Sequence, residues 1–578
     1  MNSGPLEGQL FYIFLIAIVD AALLSWVALR WYRRAVSRTM RSGGTLPSAP
    51  TATATPVPQP LSASKPPTRL TVGIVRPDDA AAAEEADRTR PAAWRPILIG
   101  YCVGAALFSA VITAAMAVEA PIRAPTALFS MWWTNAWPVV PTLIALLLLD
   151  RRGGLRLAAA YLVCGSVGVA VLTLVTQAWR GSVDAAPLTN IFWLNAGILF
   201  IASLPVALLL VTGWRRIRGV MPLALAATIL FGFTLMLFKE VIIRAFNVPA
   251  LRDFVLGLAV VTSSEVAFYS LYMLMALPVG WLAWRALQAL AAGFERKRFS
   301  DVQLVVDCWW VIVTAETITT HLAAPFGFMG IGIGVAAFAA YRVGTLATLR
   351  LLRVESSGPA QRLLLLRVFG HQARTESLFD RIADRWRFRG PVQLIAGADL
   401  AMRTADPADM LKFMGGRLRD MYVASSSELP ERLQRLDTRR DPDGRFRVNE
   451  FYCFDATWQE TLQRLLTLSD AVVMDLRGFT ETNSGCVFEL EHLLSRLPTD
   501  AIVLVYDTTT DLVLLADLLG KAWARAELDG VARDTGPLSL VRIEGNAPSE
   551  LDRLMQRLAG RERPRHVVAL PELAALAV

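Results

Sequence analysis

The polar side chains best placed for chemistry lie between two apolar runs near the end of the chain, in SDAVVMDLRGFTETNSGCVFELEHLLSRLPTDAIVLVYD (469–507). The first run ends at Asp475, two residues before Arg477, and a loop rich in Gly, Thr and Asn follows. A helix then begins near Ser484 and carries Glu489 in its first turns. Because open α/β sheets bind ligands in loops at the carboxyl ends of parallel strands, this spacing predicts a ligand site.

The start of this helix resembles the signature of Toll/interleukin receptor (TIR) domains. Ser484, Cys486 and the pair Glu489-Leu490 match that signature, whereas Gly485 stands where the family has Trp. The stretch DLRGFTETNSGCVFEL is also similar to the corresponding element of nucleoside 2-deoxyribosyltransferases. Both families have a flavodoxin-like sheet and place the Glu against the ribose of a nucleoside or of NAD. The resemblance therefore implies such a fold and such a ligand.

The same resemblance, which covers about 470–507, implies a role for Glu489. Cleavage of an N-glycosidic bond builds positive charge on the ribose, and a carboxylate can stabilise that charge, orient the 2′-hydroxyl or attack as a nucleophile. The alternative is a solvated acid in the first helical turns, where acids are favoured anyway. Domains of this shape also act as binding or assembly modules, so catalysis by the chain stays open.

Four neighbours of Glu489 complete the predicted site. Asp475 and Arg477 would hold ribose hydroxyls and a phosphate, respectively. Asn483 and Ser484 are residue types that cap a helix, and the free amides at a helix start bind phosphate. We predict no metal, because the five cysteines show no CxxC or other zinc-like spacing. The only cofactor-like molecule expected is the NAD, nucleoside or nucleotide ligand itself.

Two more candidates follow another predicted strand, FRVNEFYCF. In a parallel sheet Asp455 and Trp458 would project from the same edge as Asp475, where Trp458 could stack on a base. Alternatively, Asp455 caps the next helix and Trp458 packs in the core.

The composition indicates a membrane protein with a soluble tail. The 578 residues are 54% hydrophobic and only 19% charged, whereas a soluble protein carries about a quarter charged residues. The mean hydropathy is +0.42. We place nine spans near 9–31, 96–118, 135–149, 157–177, 191–213, 219–238, 254–284, 303–320 and 326–348. The fold class expected is thus an N-terminal all-α polytopic membrane domain plus a C-terminal α/β flavodoxin-like, doubly wound parallel sheet.

The orientation follows from the basic residues in the loops. Alternate loops are rich in Arg, which the positive-inside rule assigns to the cytoplasm. The nine spans then leave the amino terminus outside and the tail in the cytoplasm, as in a bacterial inner-membrane protein. The net charge of +8 belongs largely to these loops, so we expect the lipid bilayer rather than nucleic acid as the main partner. A nucleotide and a second copy of the chain are further candidate partners.

Acidic residues also occur inside the predicted spans, at Asp20, Glu265, Asp307 and Glu316. Ionisable groups at such depth are costly and usually face the interior of a helix bundle. They would form an ion or proton path or, alternatively, hydrogen bonds between helices. The span near 303–320 is the least typical because it contains two of these acids.

Five segments result. A first transmembrane helix (1–41) precedes a Pro-, Ala- and Thr-rich linker (42–93), which we expect to be disordered. The multi-helix membrane domain, the α/β TIR-like domain and a C-terminal tail then cover 94–357, 358–563 and 564–578. The tail domain alternates strand-like and helical runs, as parallel sheets do.

The function expected from the sequence is sensing or hydrolysis of an NAD-like or nucleoside ligand, in signalling or defence by family resemblance. Two alternatives stay open: a transporter or channel regulated by the tail, and a membrane-anchored scaffold. No P-loop, kinase, zincin or GxSxG motif occurs.

Overall fold

The computed structural model describes residues 4–43, 70–75, 83–119, 124–150, 154–180, 192–193, 196–197, 206, 220–229, 231, 248–352, 360–367, 372–396, 407–454, 456–481, 483–529, 536–545, 547–558 and 566–575. The chain divides into two compact units. The first comprises residues 1–32, 96–353 and 404–414, and the second comprises 33–95, 354–403 and 415–578.

The amino-terminal part of the chain is helical. Its described helices are α1 (Gly4–Gly43), α2 (Ala83–Glu119), α3 (Pro125–Ala136), α4 (Val139–Asp150), α5 (Gly154–Arg180), α6 (Pro249–Val261), α7 (Ser264–Glu295), α8 (Asp301–Thr317, continued by a π-helical turn, Ile318–Leu322), α9 (Ala323–Phe326) and α10 (Phe328–Leu351). The short helix α12 (Pro407–Met414), which comes later in the chain, also belongs to the first unit.

Three helical stretches among the described residues are long and apolar enough to cross a membrane: Trp94–Glu119, Asp301–Leu322 and Met329–Leu351. The expected membrane region is confirmed to that extent, with three candidate spans rather than nine. The predicted spans near 191–213 and 219–238 lie largely outside the described residues.

Small residues allow two of these candidate spans to cross closely. A Cβ atom added at Gly104 of α2 would lie only 2.9 Å from the carbonyl oxygen of Tyr341 in α10. Gly344 of α10 lies opposite, and a Cβ added there would be 3.5 Å from the Cα of Gly104. Such glycine contacts are typical of membrane helices, which associate through close backbone packing.

Of the four acids predicted inside spans, Asp307 has a partner on another helix. Arg342 of α10 forms an ion pair with Asp307 of α8, and the Tyr341 hydroxyl donates a hydrogen bond of 3.4 Å to the same carboxylate. Asp307 therefore bonds to a neighbouring helix, which is the alternative to a role in an ion or proton path. Asp20, Glu265 and Glu316 lie on exposed helix surfaces.

The second unit contains a nine-stranded sheet with the order β4-β5-β3-β2-β6-β7-β8-β1-β9. Its strands are β1 (Thr71–Val75), β2 (Leu363–Arg367), β3 (Val392–Ala396), β4 (Tyr422–Val423), β5 (Val448–Cys453), β6 (Ala471–Asp475), β7 (Ile502–Tyr506), β8 (Leu538–Arg542) and β9 (His566–Ala569). All pairs are parallel except β1 with β9.

Helices cover both faces of this sheet. They are α11 (Gln372–Trp386), α13 (Leu429–Gln434), α14 (Trp458–Leu468), α15 (Ser484–Arg496), α16 (Leu512–Leu528), α17 (Pro548–Leu558) and α18 (Leu570–Ala575). Leucines of α14, α15, α16 and α18 pack on one face, and apolar residues of α11 and α17 pack on the other. The expected parallel α/β sheet is confirmed.

The expectation of a wholly disordered linker over 42–93 is wrong for Thr71–Val75 and for 83–93, which form the start of α2 (Ala83–Glu119). Residues Thr71–Val75 form β1, which pairs with β8 on one side and β9 on the other. Val72 and Ile74 are 0% and 3% exposed, so this short apolar run buries enough surface to be ordered although its surroundings are rich in Pro and Ala. The sheet also takes β9 from 564–578, so it extends beyond the predicted domain at both ends.

Candidate functional site

The strand order places a topological switch point between the neighbouring strands β2 and β6. The central strands β3-β2-β6-β7-β8 have the order 2-1-3-4-5, counted along the chain from β2 with β4 and β5 left out. The connection after β2 (α11) packs on one face of the sheet, whereas the connection after β6 (α15) packs on the other. Doubly wound sheets bind ligands at the carboxyl ends of the strands where the connections diverge in this way.

Arg367 and Asp475 stand at this switch point. They are the last residues of β2 and β6 and are direct neighbours in the strand register. Both side chains are buried, with 4% and 1% exposure. Asp475 was predicted from the sequence, whereas Arg367 was not, although a charged residue at the end of an apolar strand is a signal that could have identified it.

Helix α15 brings Glu489 to the same place. The helix follows Asn483, whose carbonyl oxygen accepts a hydrogen bond of 3.0 Å from the Cys486 amide. The Cys486 sulfur lies 4.0 Å from the carbonyl oxygen of Arg367, so the first turn of α15 contacts the end of β2. Glu489 follows one turn later on the same helix face, while Leu490 and Leu493 enter the core.

The Glu489 carboxyl is buried and incompletely satisfied. Its side chain is 3% exposed, and its Oε2 atom has no hydrogen-bond partner among the residues that the structure describes. Burial raises the pKa of Glu489 to about 8, although the positive charge of Arg367 acts in the opposite direction. The alternative of a solvated surface acid is therefore wrong, and Glu489 is mostly protonated at neutral pH.

Asp475 and Arg477 form a closed ion pair. The guanidinium donates from Nε to Oδ1 (2.8 Å) and from a terminal nitrogen to Oδ2 (2.7 Å), and the Arg477 amide also bonds to Oδ1 (3.2 Å). Both carboxylate oxygens are thus used within the protein. The pair links the end of β6 to the loop that follows, and the predicted contacts of Asp475 with ribose hydroxyls and of Arg477 with a phosphate stay predictions.

The loop between β6 and α15 is held by its own polar groups. The Asn483 side chain does not cap α15; its Oδ1 atom accepts hydrogen bonds from the backbone amide (2.9 Å) and the hydroxyl (3.2 Å) of Thr480. Gly478 adopts a φ of 75°, which glycine accommodates without strain. Ser484 is the first residue of the helix, and its side chain lies outside the described part.

Trp458 packs against α15. Its ring makes an edge-on contact with Phe488 at a centroid distance of 5.4 Å. A Cβ added at Gly485 would lie 3.9 Å from the same indole, so Trp458 packs beside the first turn of α15. Trp458 therefore packs against the helix, as expected for a core residue, which is the alternative to stacking on a base. Asp455 lies outside the described residues.

A pocket of about 420 Å³ lies elsewhere, between α15 and α16. Val487, Leu490, Leu518 and Ala522 contribute to its lining, and Glu489 does not. In the part of the chain that is described, no group of three His, Cys, Asp or Glu residues could hold a metal ion.

Comparisons with protein-family models, curated proteins and solved structures give no match to this chain.

Proposed function

We propose that the α/β unit binds a ribose-containing ligand, NAD or a related nucleoside or nucleotide, at the switch point between β2 and β6. The observation that carries this proposal is the Glu489 carboxyl, which is buried at the carboxyl edge of the sheet with one oxygen unpartnered. An unsatisfied buried carboxyl costs folding free energy. A ribose hydroxyl would satisfy it by donating a hydrogen bond.

The chemistry proposed for this site is hydrolysis of the bond between the ribose and the base. Water attacks C1′, the C1′–N bond breaks and its electron pair leaves with the base; for NAD the products are nicotinamide, ADP-ribose and a proton. Ionised Glu489 would stabilise the positive charge that develops on the ribose. The resemblance of residues 484–490 to TIR domains supports this assignment.

For the helical part of the chain, the proposal is a polytopic region in a bacterial inner membrane. The amino terminus is placed outside and the α/β unit in the cytoplasm. The three candidate spans and the Arg-rich loops support it. The unit would then meet NAD or nucleosides from the cytosol, as expected of a sensing or defence protein.

The test uses the full chain in detergent, because a fragment limited to 358–563 would lack β1 and β9 of the sheet. NAD⁺ is added, and thermal stabilisation and nicotinamide release are measured for the wild type, Glu489→Gln and Glu491→Gln. Glu491 is the control on the same helix: it pairs with Arg525, at 2.7 Å, and lines the pocket between α15 and α16 rather than the switch point.

We expect stabilisation by NAD⁺ in the wild type and in Glu491→Gln and its loss in Glu489→Gln. Stabilisation without release of nicotinamide would identify a sensor. If neither NAD⁺ nor adenosine stabilises the wild type, the ligand assignment is wrong and the scaffold alternative is favoured.

A further inference from the structure

Helix α17 (Pro548–Leu558) is buried on its polar side as well as on its apolar side. Its apolar residues pack on the sheet, on the face that also carries α11. Its polar residues Arg553, Gln556 and Arg557 are nevertheless buried too. Arginine is rarely buried to this extent unless it has a partner, so the partners of these groups decide what this side of the helix does.

Arg557 shows where the polar side of α17 lies. Its Nε atom donates a hydrogen bond to the Ser539 hydroxyl of β8, and a terminal nitrogen donates to the carbonyl oxygen of Asp500 at 3.3 Å. Arg553 precedes Arg557 by four residues, so it lies one turn earlier on the same side of the helix. Two guanidinium groups therefore leave α17 on this side.

Arg553 is a buried cation without a counter-charge in the described part of the chain. Its side chain belongs to a residue that is 7% exposed, and its Nε and Nη1 atoms have no hydrogen-bond partner among the described residues. A guanidinium stays protonated at every pH at which proteins are studied, so it cannot escape the cost of burial by losing its charge. An anion bound there would remove that cost.

The acids closest to Arg553 along α17 have other partners. Asp552 forms an ion pair with Arg385 of α11. Both carboxylate oxygens of Glu550 accept hydrogen bonds from backbone amides of the loop before the helix, at 3.2 and 3.3 Å. These carboxylates therefore hold α17 against α11 and fix its first turn, and neither balances the charge of Arg553.

We propose that Arg553 anchors an anion site on the polar side of α17, and that the ligand carries a phosphate group. A guanidinium binds phosphate through a planar fork of N–H donors. The positive charge of Arg557, one turn away, favours a doubly charged phosphate over a singly charged carboxylate. This site is separate from the switch point, because α17 and α15 pack on opposite faces of the sheet, so it does not rest on the proposed function.

The test measures the thermal unfolding midpoint (Tm) of the full chain in detergent, in sodium phosphate and in sodium chloride of equal pH and ionic strength. Phosphate at ten times its Kd should raise the wild-type Tm by about 3–6 °C. Arg553→Met, which keeps an apolar stem, should abolish this rise. The matched control is Arg542→Met, because Arg542 pairs with Glu544 and is 46% exposed; this variant should keep the rise.

The Tm in chloride alone gives a second readout. Replacing an unbalanced buried charge by an apolar group is neutral or stabilising, so Arg553→Met should unfold at or above the wild-type temperature. Arg553→Gln is a second neutral variant if Arg553→Met does not fold, and Arg553→Lys should keep part of the phosphate effect. A phosphate effect that persists in the neutral variants, or a lower Tm in chloride for both of them, overturns the proposal.

The phosphate group could belong to a soluble molecule or to a lipid, and mixed micelles distinguish the two sources. Phosphatidic acid, a phosphate monoester, is compared with phosphatidylcholine in the absence of inorganic phosphate. Stabilisation by inorganic phosphate identifies a soluble ligand, whereas stabilisation by phosphatidic acid alone, lost in Arg553→Met, identifies a lipid headgroup. If neither probe raises the wild-type Tm, α17 carries no phosphate site and the proposal is wrong.

Discussion

Glu489 and Glu491 are two residues apart on α15, and their surroundings give them different chemistry. Glu491 reaches Arg525 and is 32% exposed, whereas Glu489 is buried beneath the carboxyl edge of the sheet. The sequence identified Glu489 by resemblance to a family. It could not show that burial would raise the pKa of this carboxyl, because burial depends on strands more than a hundred residues away in the chain.

The pH dependence of nicotinamide release from NAD⁺ tests the ionised form of Glu489. Because its pKa is about 8, the ionised fraction is only about one hundredth at pH 6 and rises tenfold per pH unit. We expect kcat/KM to increase from pH 6 and to level off above pH 8. A rate that does not change over this range would rule out ionised Glu489 as the reactive group.

Removing the partner of Arg477 tests the closed ion pair. Asp475→Ala leaves a guanidinium that is 5% exposed without its carboxylate, which costs about 3–5 kcal/mol in a buried pair. The control, Asp517→Ala, removes a pair whose side chains are 54% and 70% exposed, worth about 0–1 kcal/mol. Equal losses of Tm for the two variants would contradict the structural role of Asp475.

At the scale of elements, the alternation of apolar and helical runs predicted the parallel strands β2, β3, β5, β6, β7 and β8. It predicted a helix where the two-residue strand β4 (Tyr422–Val423) begins. It missed β1 because only three of the five residues of this strand are aliphatic (Val72, Ile74 and Val75), and the composition of the surrounding stretch indicates disorder. The pairing of β1 is with β8 and β9, more than 460 positions later. No local pattern contains that information.

A charge placed in β1 tests whether this strand belongs to the sheet. Ile74→Asp buries a carboxylate at a position that is 3% exposed, so the second unit should lose several kcal/mol of stability. Val567→Asp, at a 50% exposed position of the edge strand β9, should change the Tm little. If both variants unfold at the wild-type temperature, β1 is not part of the sheet.

The close crossing of α2 and α10 predicts how an alanine at position 104 changes the stability of these helices. Alanine is the better helix former by about 0.5–1 kcal/mol, yet Gly104→Ala should destabilise the helices because its Cβ would meet Tyr341. Gly168→Ala is the control, since nothing described lies within 4 Å of a Cβ there. The measurement is thermal unfolding in detergent. If Gly104→Ala is more stable than Gly168→Ala, the close crossing is refuted.

At the scale of the whole molecule, one chain builds a helical membrane region and a sheet whose strands come from both of its ends. The sequence predicted both classes of structure from composition and periodicity. Two of the predicted spans, 191–213 and 219–238, lie largely outside the described part. The switch point depends on strand order, which periodicity does not determine. The position of the site could therefore not be predicted from the sequence, because it depends on the contact of α15 with the ends of β2 and β6.

A structure of the full chain with NAD⁺ bound tests most directly whether the ligand binds at the switch point. We predict the ligand at the carboxyl ends of β2 and β6, with a ribose hydroxyl within hydrogen-bonding distance, about 2.6–3.2 Å, of the Glu489 carboxylate. A ligand bound instead in the pocket between α15 and α16, with Glu489 still buried and unpartnered, would contradict the account.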